Sequence, residues 1–336
     1  MLKSPNILLA AVAAVLVIGV PFVGGSFVVT TAIAALYLAY QALAWNLIGG
    51  LAGQFSLGNT IFIGAGAYAS SFLFVHYGVT PWIGIWAGAA IAAALAFLIG
   101  AVTFRLNLRG LYFAMVTLAL AEMAQVLVEN TEPLGAAYGI LIPVRGTSLY
   151  AAQFESRTAY YYIILGMVVM AAVIMTLIQR GRIGLMLEGS KSNEEAAKAV
   201  GVPTIRNMQF MFALSAVLSA LGGSFMAQYT LFIDPKSMFS WSEAVVFLLP
   251  AVIGGTRHWS GPVVGAILLE LVSDVSRVAF GASVHGLAQI IYGVVVIIVV
   301  MRVRMGIVDL LIERMRSKHA AATAGKAGEA VSNAAP

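Results

Sequence analysis

The chain has no cysteine, which excludes disulfides and thiolate metal sites. Charge is also scarce. Asp, Glu, Lys and Arg make up only 10% of the residues, against roughly 25% in soluble domains. Several chemical motifs are missing as well. Gly64-Ala65-Gly66 lacks the Lys-Ser/Thr that would reach phosphate and magnesium, so no phosphate loop is present. No His-Glu-x-x-His occurs, and His76, His258, His285 and His319 are scattered. No serine sits in a Gly-x-Ser-x-Gly turn. These absences argue against an enzyme.

What fills the space is apolar. Such residues make up 61% of the chain, and the mean hydropathy is +0.94. This composition belongs to an integral membrane protein with the lipid bilayer as its solvent. The net charge of +5 is therefore no sign of nucleic-acid binding. In a membrane protein, basic residues first report which loops stay in the cytoplasm.

A crossing helix needs about 20 apolar residues. Ten spans are predicted, at 6–23, 27–48, 60–76, 82–104, 110–128, 159–179, 208–231, 243–256, 261–281 and 286–302. The eighth is short: it is tilted, begins earlier near Phe239, or is re-entrant. Counts of eight or nine are the alternatives. The fold class is thus all-α, a polytopic transmembrane bundle over 1–318, with a disordered tail at 319–336. With the amino terminus in the cytoplasm, fifteen Lys and Arg fall inside, against Arg145, Arg157 and Lys236 outside. Both termini are then cytoplasmic. The first span is read as retained, because no convincing cleavage site follows it.

The densest charge lies between two spans, at 180–206. Ser192 to Val200 is predicted to be a short helix. Ser192 or Asn193 can accept from its first free amides, and Glu194 and Glu195 suit its positive start. Gly201 and Pro203 stop it. The segment is either a solvated loop or a rigid surface offered to a cytoplasmic partner.

Polar residues inside the apolar runs are the other candidates. Gln54, Ser56, Asn59 and Thr60 lie among glycines between two spans. Irregular backbone at that depth needs protein or a water-filled cavity to satisfy it, so the segment is a translocation-path element or a packed turn. The same holds for 254–262. Glu122 and Glu270 lie mid-span, where a charge marks a pathway or a partner. Asp274 and Arg277 can pair at i, i+3. Gly84 and Gly88, Ser219 and Gly223, and Gly261 and Gly265 are spaced for close helix packing.

Four stretches together resemble a known family. They are Gly53-Gln54-Phe55-Ser56-Leu57-Gly58 through Tyr68, Arg109-Gly110-Leu111-Tyr112 through Ala119, Arg182-Ile183-Gly184 through Gly201, and Gly254-Gly255 through Gly261-Pro262 to Ala266. The chain looks like a permease subunit of the branched-chain amino acid ABC importers, the LivH/LivM type, on the LivM side. Glu195-Ala196-Ala197 followed by Gly201 keeps the spacing of that family's ATPase-coupling loop. The resemblance implies a bacterial inner-membrane importer with ABC ATPase subunits on other chains, a second, LivH-like permease, and a periplasmic substrate-binding protein. It implies no cofactor. Gln54, Ser56, Asn59 and Glu122 become candidates for the cargo path. One departure stands out. The family tends to show Thr-Gly-Gly-x-x-Gly where this chain reads Leu134-Gly135-Ala136-Ala137-Tyr138-Gly139. Urea, short amides and aromatic acids therefore stand beside branched-chain amino acids as cargo. The rival class is an ion-coupled secondary transporter using Glu122 or Glu270; a passive channel is a third.

Overall fold

The computed structural model describes residues 19–21, 25–144, 152–280, 290, 293–294, 297 and 306–310. Most of the predicted first span (6–23) and tenth span (286–302), and the whole 319–336 tail, lie outside the described residues.

The long helices are α1 (Ser26–Asn46, extended by a π-helical turn at Leu47–Leu51), α2 (Asn59–Tyr77), α3 (Pro81–Arg105) and α4 (Leu111–Glu129). After them come α5 (Arg157–Arg180), the short α6 (Arg182–Ser192) and α7 (Glu194–Ala199), then α8 (Thr204–Thr230). The chain continues through α9 (Pro235–Phe239), α10 (Trp241–Gly254) and α11 (Ser260–Phe280). Among the described residues, seven helical stretches are long and apolar enough to cross a membrane. The last of these, Pro235–Gly254, joins α9 to α10. The eighth predicted span thus begins well before residue 243. α11 has 21 residues, about 30 Å at the helical rise; Glu270, Asp274 and Arg277 make it the most charged of the long helices. The expected pair Asp274–Arg277 forms at 3.7 Å. The only strands among the described residues are β1 (Ile140–Leu141) and β2 (Phe232–Ile233), an antiparallel pair joining two loops at one end of the bundle.

α8 is the axis, 67% buried along its apolar window, whereas α4 is only 22% buried. Small residues bring its neighbours in. A Cβ on Gly223 would run into the Ile63 carbonyl, and one on Gly66 into the Ala220 carbonyl. Gly84 and Gly88 let α3 approach Ser70 and Gly66 of α2. Gly261 and Gly265 do the same for α11 against Gly255 and Pro250. Lipid supplies no hydrophobic drive between helices, so close backbone packing holds them together. Ser215, Ser219 and Ser224 add interhelical hydrogen bonds from α8 to Ala44, Asn59 and Gly66.

The loops sort into two ends as the predicted topology requires. At one end Lys191 donates to the Gly50 carbonyl, Asn46 to that of Thr256 and Gln179 to that of Arg257. Asp309 accepts from the Arg257 amide there, and burial pushes its carboxyl above the usual range. At the other end Arg157 donates to Ser26 and Thr30.

Candidate functional site

The charged hairpin α6–α7 is held by local chemistry. The Asn193 side chain accepts from the Ala196 amide at 3.0 Å, the first-turn cap of α7. At the other end Gly201 takes φ +83°, open to glycine and strained for branched residues. That turn places the Gly201 amide on the Lys198 carbonyl and the Val202 amide on that of Ala197. Pro203 then leads into α8.

The four predicted coupling residues do different things. Glu195 and Ala196 are exposed, Ala197 is buried against the body, and Gly201 forms the turn. The neighbouring residue, Glu194, does more than supply charge at the helix start. Its carboxylate stands 2.8 Å from Arg109 and 2.8 Å from Lys198, with its side chain only 9% exposed. The i, i+4 spacing to Lys198 was legible; the partner on the α3–α4 turn was not. Glu194 therefore anchors α7, while Glu195 faces outward without an ion pair or hydrogen bond among the described residues.

Gln54 to Gly58 runs as irregular chain between the π-helical turn and α2. Gln54 meets Met208 at 3.8 Å and Asn59 meets Ser219 at 2.9 Å. α2 thus starts alongside the middle of α8. Protein satisfies part of the segment: Gln54 N donates to Ile48 O, Trp45 Nε1 to Ser56 O, and Leu57 N to Thr117 Oγ1, while Gln54 Oε1, Asn59 Nδ2 and Thr60 Oγ1 are buried with no hydrogen-bond partner among the described residues. Gln54, Ser56 and Asn59 point inward and are buried, while Phe55 between them is 39% exposed. Ser56 Oγ accepts from the Gly58 amide, and Asn59 Oδ1 accepts from the Ser219 hydroxyl.

Glu122 is not brought together with them. It sits half-buried on α4 and forms no ion pair or hydrogen bond among the described residues. Gln125 and Glu129 follow it at i+3 and i+7, also half-buried, with Gln125 donating to Glu129 at 2.9 Å. That spacing puts all three on one helix face; it was readable in the sequence but not singled out. Beside the stripe, a cavity of about 350 Å³ is lined by Tyr68, Ala124, Leu127, Val128 and Phe239.

The stripe leads to the loop after α4. There Gly135 and Gly139 take φ +82° and +77°, and Ala136 takes φ +46°. The residue standing where the resemblance expects glycine is thus in the left-handed region. Ala136→Gly should stabilise the protein by about 1 kcal/mol. Thermal unfolding of purified protein checks the sign; a destabilised variant contradicts the strain.

A family model described as branched-chain amino acid transport system / permease component matches residues 26–300. The high-affinity branched-chain amino acid transport system permease protein LivM of Escherichia coli (strain K12) is 28% identical over 288 residues, 78% of this chain and 67% of that one. LivM of Salmonella typhimurium is 27% identical over 290 residues, 79% of this chain and 67% of that one. The fructose import permease protein FruF of Bifidobacterium longum is 22% identical over 231 residues, 67% of this chain and 63% of that one. No solved structure matches. The family match takes in all seven described crossing stretches and the α6–α7 hairpin, and the chain belongs to the permease-component family of branched-chain amino acid transport systems.

Proposed function

We propose that this chain is one permease subunit of an ATP-driven importer in a bacterial inner membrane. It couples through α7 to ABC ATPase subunits, packs against a second permease, and receives cargo from a periplasmic binding protein. The observation that carries this is the α7 hairpin: a capped helix tied to the membrane body by Glu194, with Glu195 and Ala196 left facing outward. A helix so braced transmits a push that a loose loop would absorb. Because the sequence has no phosphate loop, hydrolysis belongs to another chain. Both termini and the α6–α7 hairpin share the cytoplasmic side in this reading.

The path runs along α4, the least buried crossing helix. Leu111, Met115, Met123 and Leu127 form its exposed apolar stripe, which meets the second permease. Glu122, Gln125 and Glu129 flank that stripe and face the path. The Gln54–Asn59 segment forms its floor, with Phe55 outward. The chemistry suits a branched-chain amino acid: carboxylates meet the ammonium, and the cavity beside Leu127 and Val128 takes the aliphatic side chain. Urea, short amides and aromatic acids remain the alternative cargoes, because the outer loop departs at Ala136.

The test is reconstitution. Uptake should require ATP and a co-purifying ATPase. Uptake by the lone chain under a proton or sodium gradient would establish the rival secondary transporter. In the same assay Glu194→Gln should lower ATP-driven uptake roughly fivefold, because removing its two partly solvated ion pairs loosens α7 by about 1 kcal/mol. Unchanged uptake would show that Glu194 does not brace the helix.

A further inference from the structure

A second cavity, of about 500 Å³, opens where the end of α3 meets the start of α8. Phe97, Ala101 and Arg105 contribute to its wall at i, i+4 and i+8 of α3, one face of that helix. Ile205 and Arg206 contribute from α8, and Lys198 from the coupling helix. Phe97 is 60% exposed and Ile205 40% exposed, so this face is apolar and unpartnered by the described chain. Charge sits only at its aqueous rim. Lys198 is engaged by Glu194, which it shares with Arg109. Arg105 and Arg206 are both exposed and form no ion pair or hydrogen bond among the described residues.

We propose that this cavity binds an anionic phospholipid of the bilayer, with its phosphate on Arg105 and Arg206 and an acyl chain along Phe97 and Ala101. The charge pattern selects that occupant. Two arginines in the last and first turns of crossing helices lie at headgroup depth, where anionic lipid attracts basic side chains. A soluble anion would use the arginines but not the apolar wall below them. A neutral lipid would use the wall but not the arginines. The bound headgroup would also touch the turn between α7 and α8, so lipid composition would set how firmly the coupling helix is held.

The proposal rests on the placement of these helix ends at the membrane edge, not on ATPase docking. The assay therefore scores lipid retention without ATP turnover. The purified transporter, with its partners, is placed in nanodiscs of mixed phosphatidylglycerol and phosphatidylcholine, extracted, and its retained lipid measured by native mass spectrometry. Retention should favour phosphatidylglycerol roughly tenfold. Arg105→Gln with Arg206→Gln should remove most of that preference. Ala101→Trp, which fills the apolar wall and keeps both charges, should lower retention of the lipid itself. Equal retention of the two lipids, or an unchanged preference in the double variant, overturns the proposal. Displacement by soluble glycerol phosphate would make this a free-anion site and overturns it too. So does a preference present in the lone permease and lost in the assembled transporter, which would assign the cavity to the ATPase.

Discussion

Gly201→Val should abolish ATP-driven uptake while leaving the protein in the membrane at wild-type level. Gly201 holds φ +83°, a conformation that costs a β-branched residue well over 1 kcal/mol. A Cβ at this position meets nothing within 4 Å, so the substitution disturbs no packing. Its whole effect falls on the turn. Relieving the strain moves the Val202 amide off the Ala197 carbonyl and changes the angle between α7 and α8. The C-terminal end of α7 is then wrong for a rigid push, and uptake should fall more than tenfold. ATP hydrolysis by the partner should become independent of cargo. Gly201→Asn is the control, because asparagine tolerates the left-handed region and should keep near-normal uptake. Wild-type uptake in Gly201→Val would remove the turn from the coupling account.

Gly66→Leu should leave almost no folded protein. Three helices meet at this residue. Its own Cβ would run into the Ala220 carbonyl of α8, and Gly88 of α3 already lies against its Cα. Ser70 and Ser224 both donate to its carbonyl at 2.9 Å. Backbone on two sides cannot step aside as a flexible side chain would. Overpacking here should cost more than about 3 kcal/mol. Gly166→Leu, on α5 where a Cβ would meet nothing within 4 Å, should be silent. Size-exclusion profiles of tagged protein after detergent extraction separate the two. A monodisperse Gly66→Leu peak would mean that the α2–α3–α8 crossing is looser than drawn.

The second to eighth predicted spans were legible because apolar runs and their ends are local signals. α7 was legible for the same reason, since Asn193, Glu194, Gly201 and Pro203 all act within a few residues. The coincidence of the loops at 49–59 and 254–262 also followed, from the alternation of crossings. What escaped depends on tertiary partners. Nothing local says that Arg109 reaches Glu194, which separates the anchoring glutamate from the outward-facing Glu195. Nothing local says that Asn59 meets Ser219, so the place where α2 starts appears only with α8 beside it. An earlier start of the eighth span, near Phe239, was among the sequence's alternatives; the stretch begins still earlier, at Pro235, because Asp234 caps a separate short helix that Ser240 divides from α10. Glu122 was chosen as a lone charge; its meaning comes from Gln125 and Glu129 on the same face.

The absence of native cysteine gives one direct measurement. Glu195→Cys makes a single thiol at the exposed face of α7. In inside-out vesicles it should react with a membrane-impermeant maleimide, and in the assembled transporter it should be protected and cross-link to an ATP-hydrolysing subunit. Labelling of that thiol from the outer face of intact spheroplasts, or full reactivity in the assembled transporter, would contradict the account.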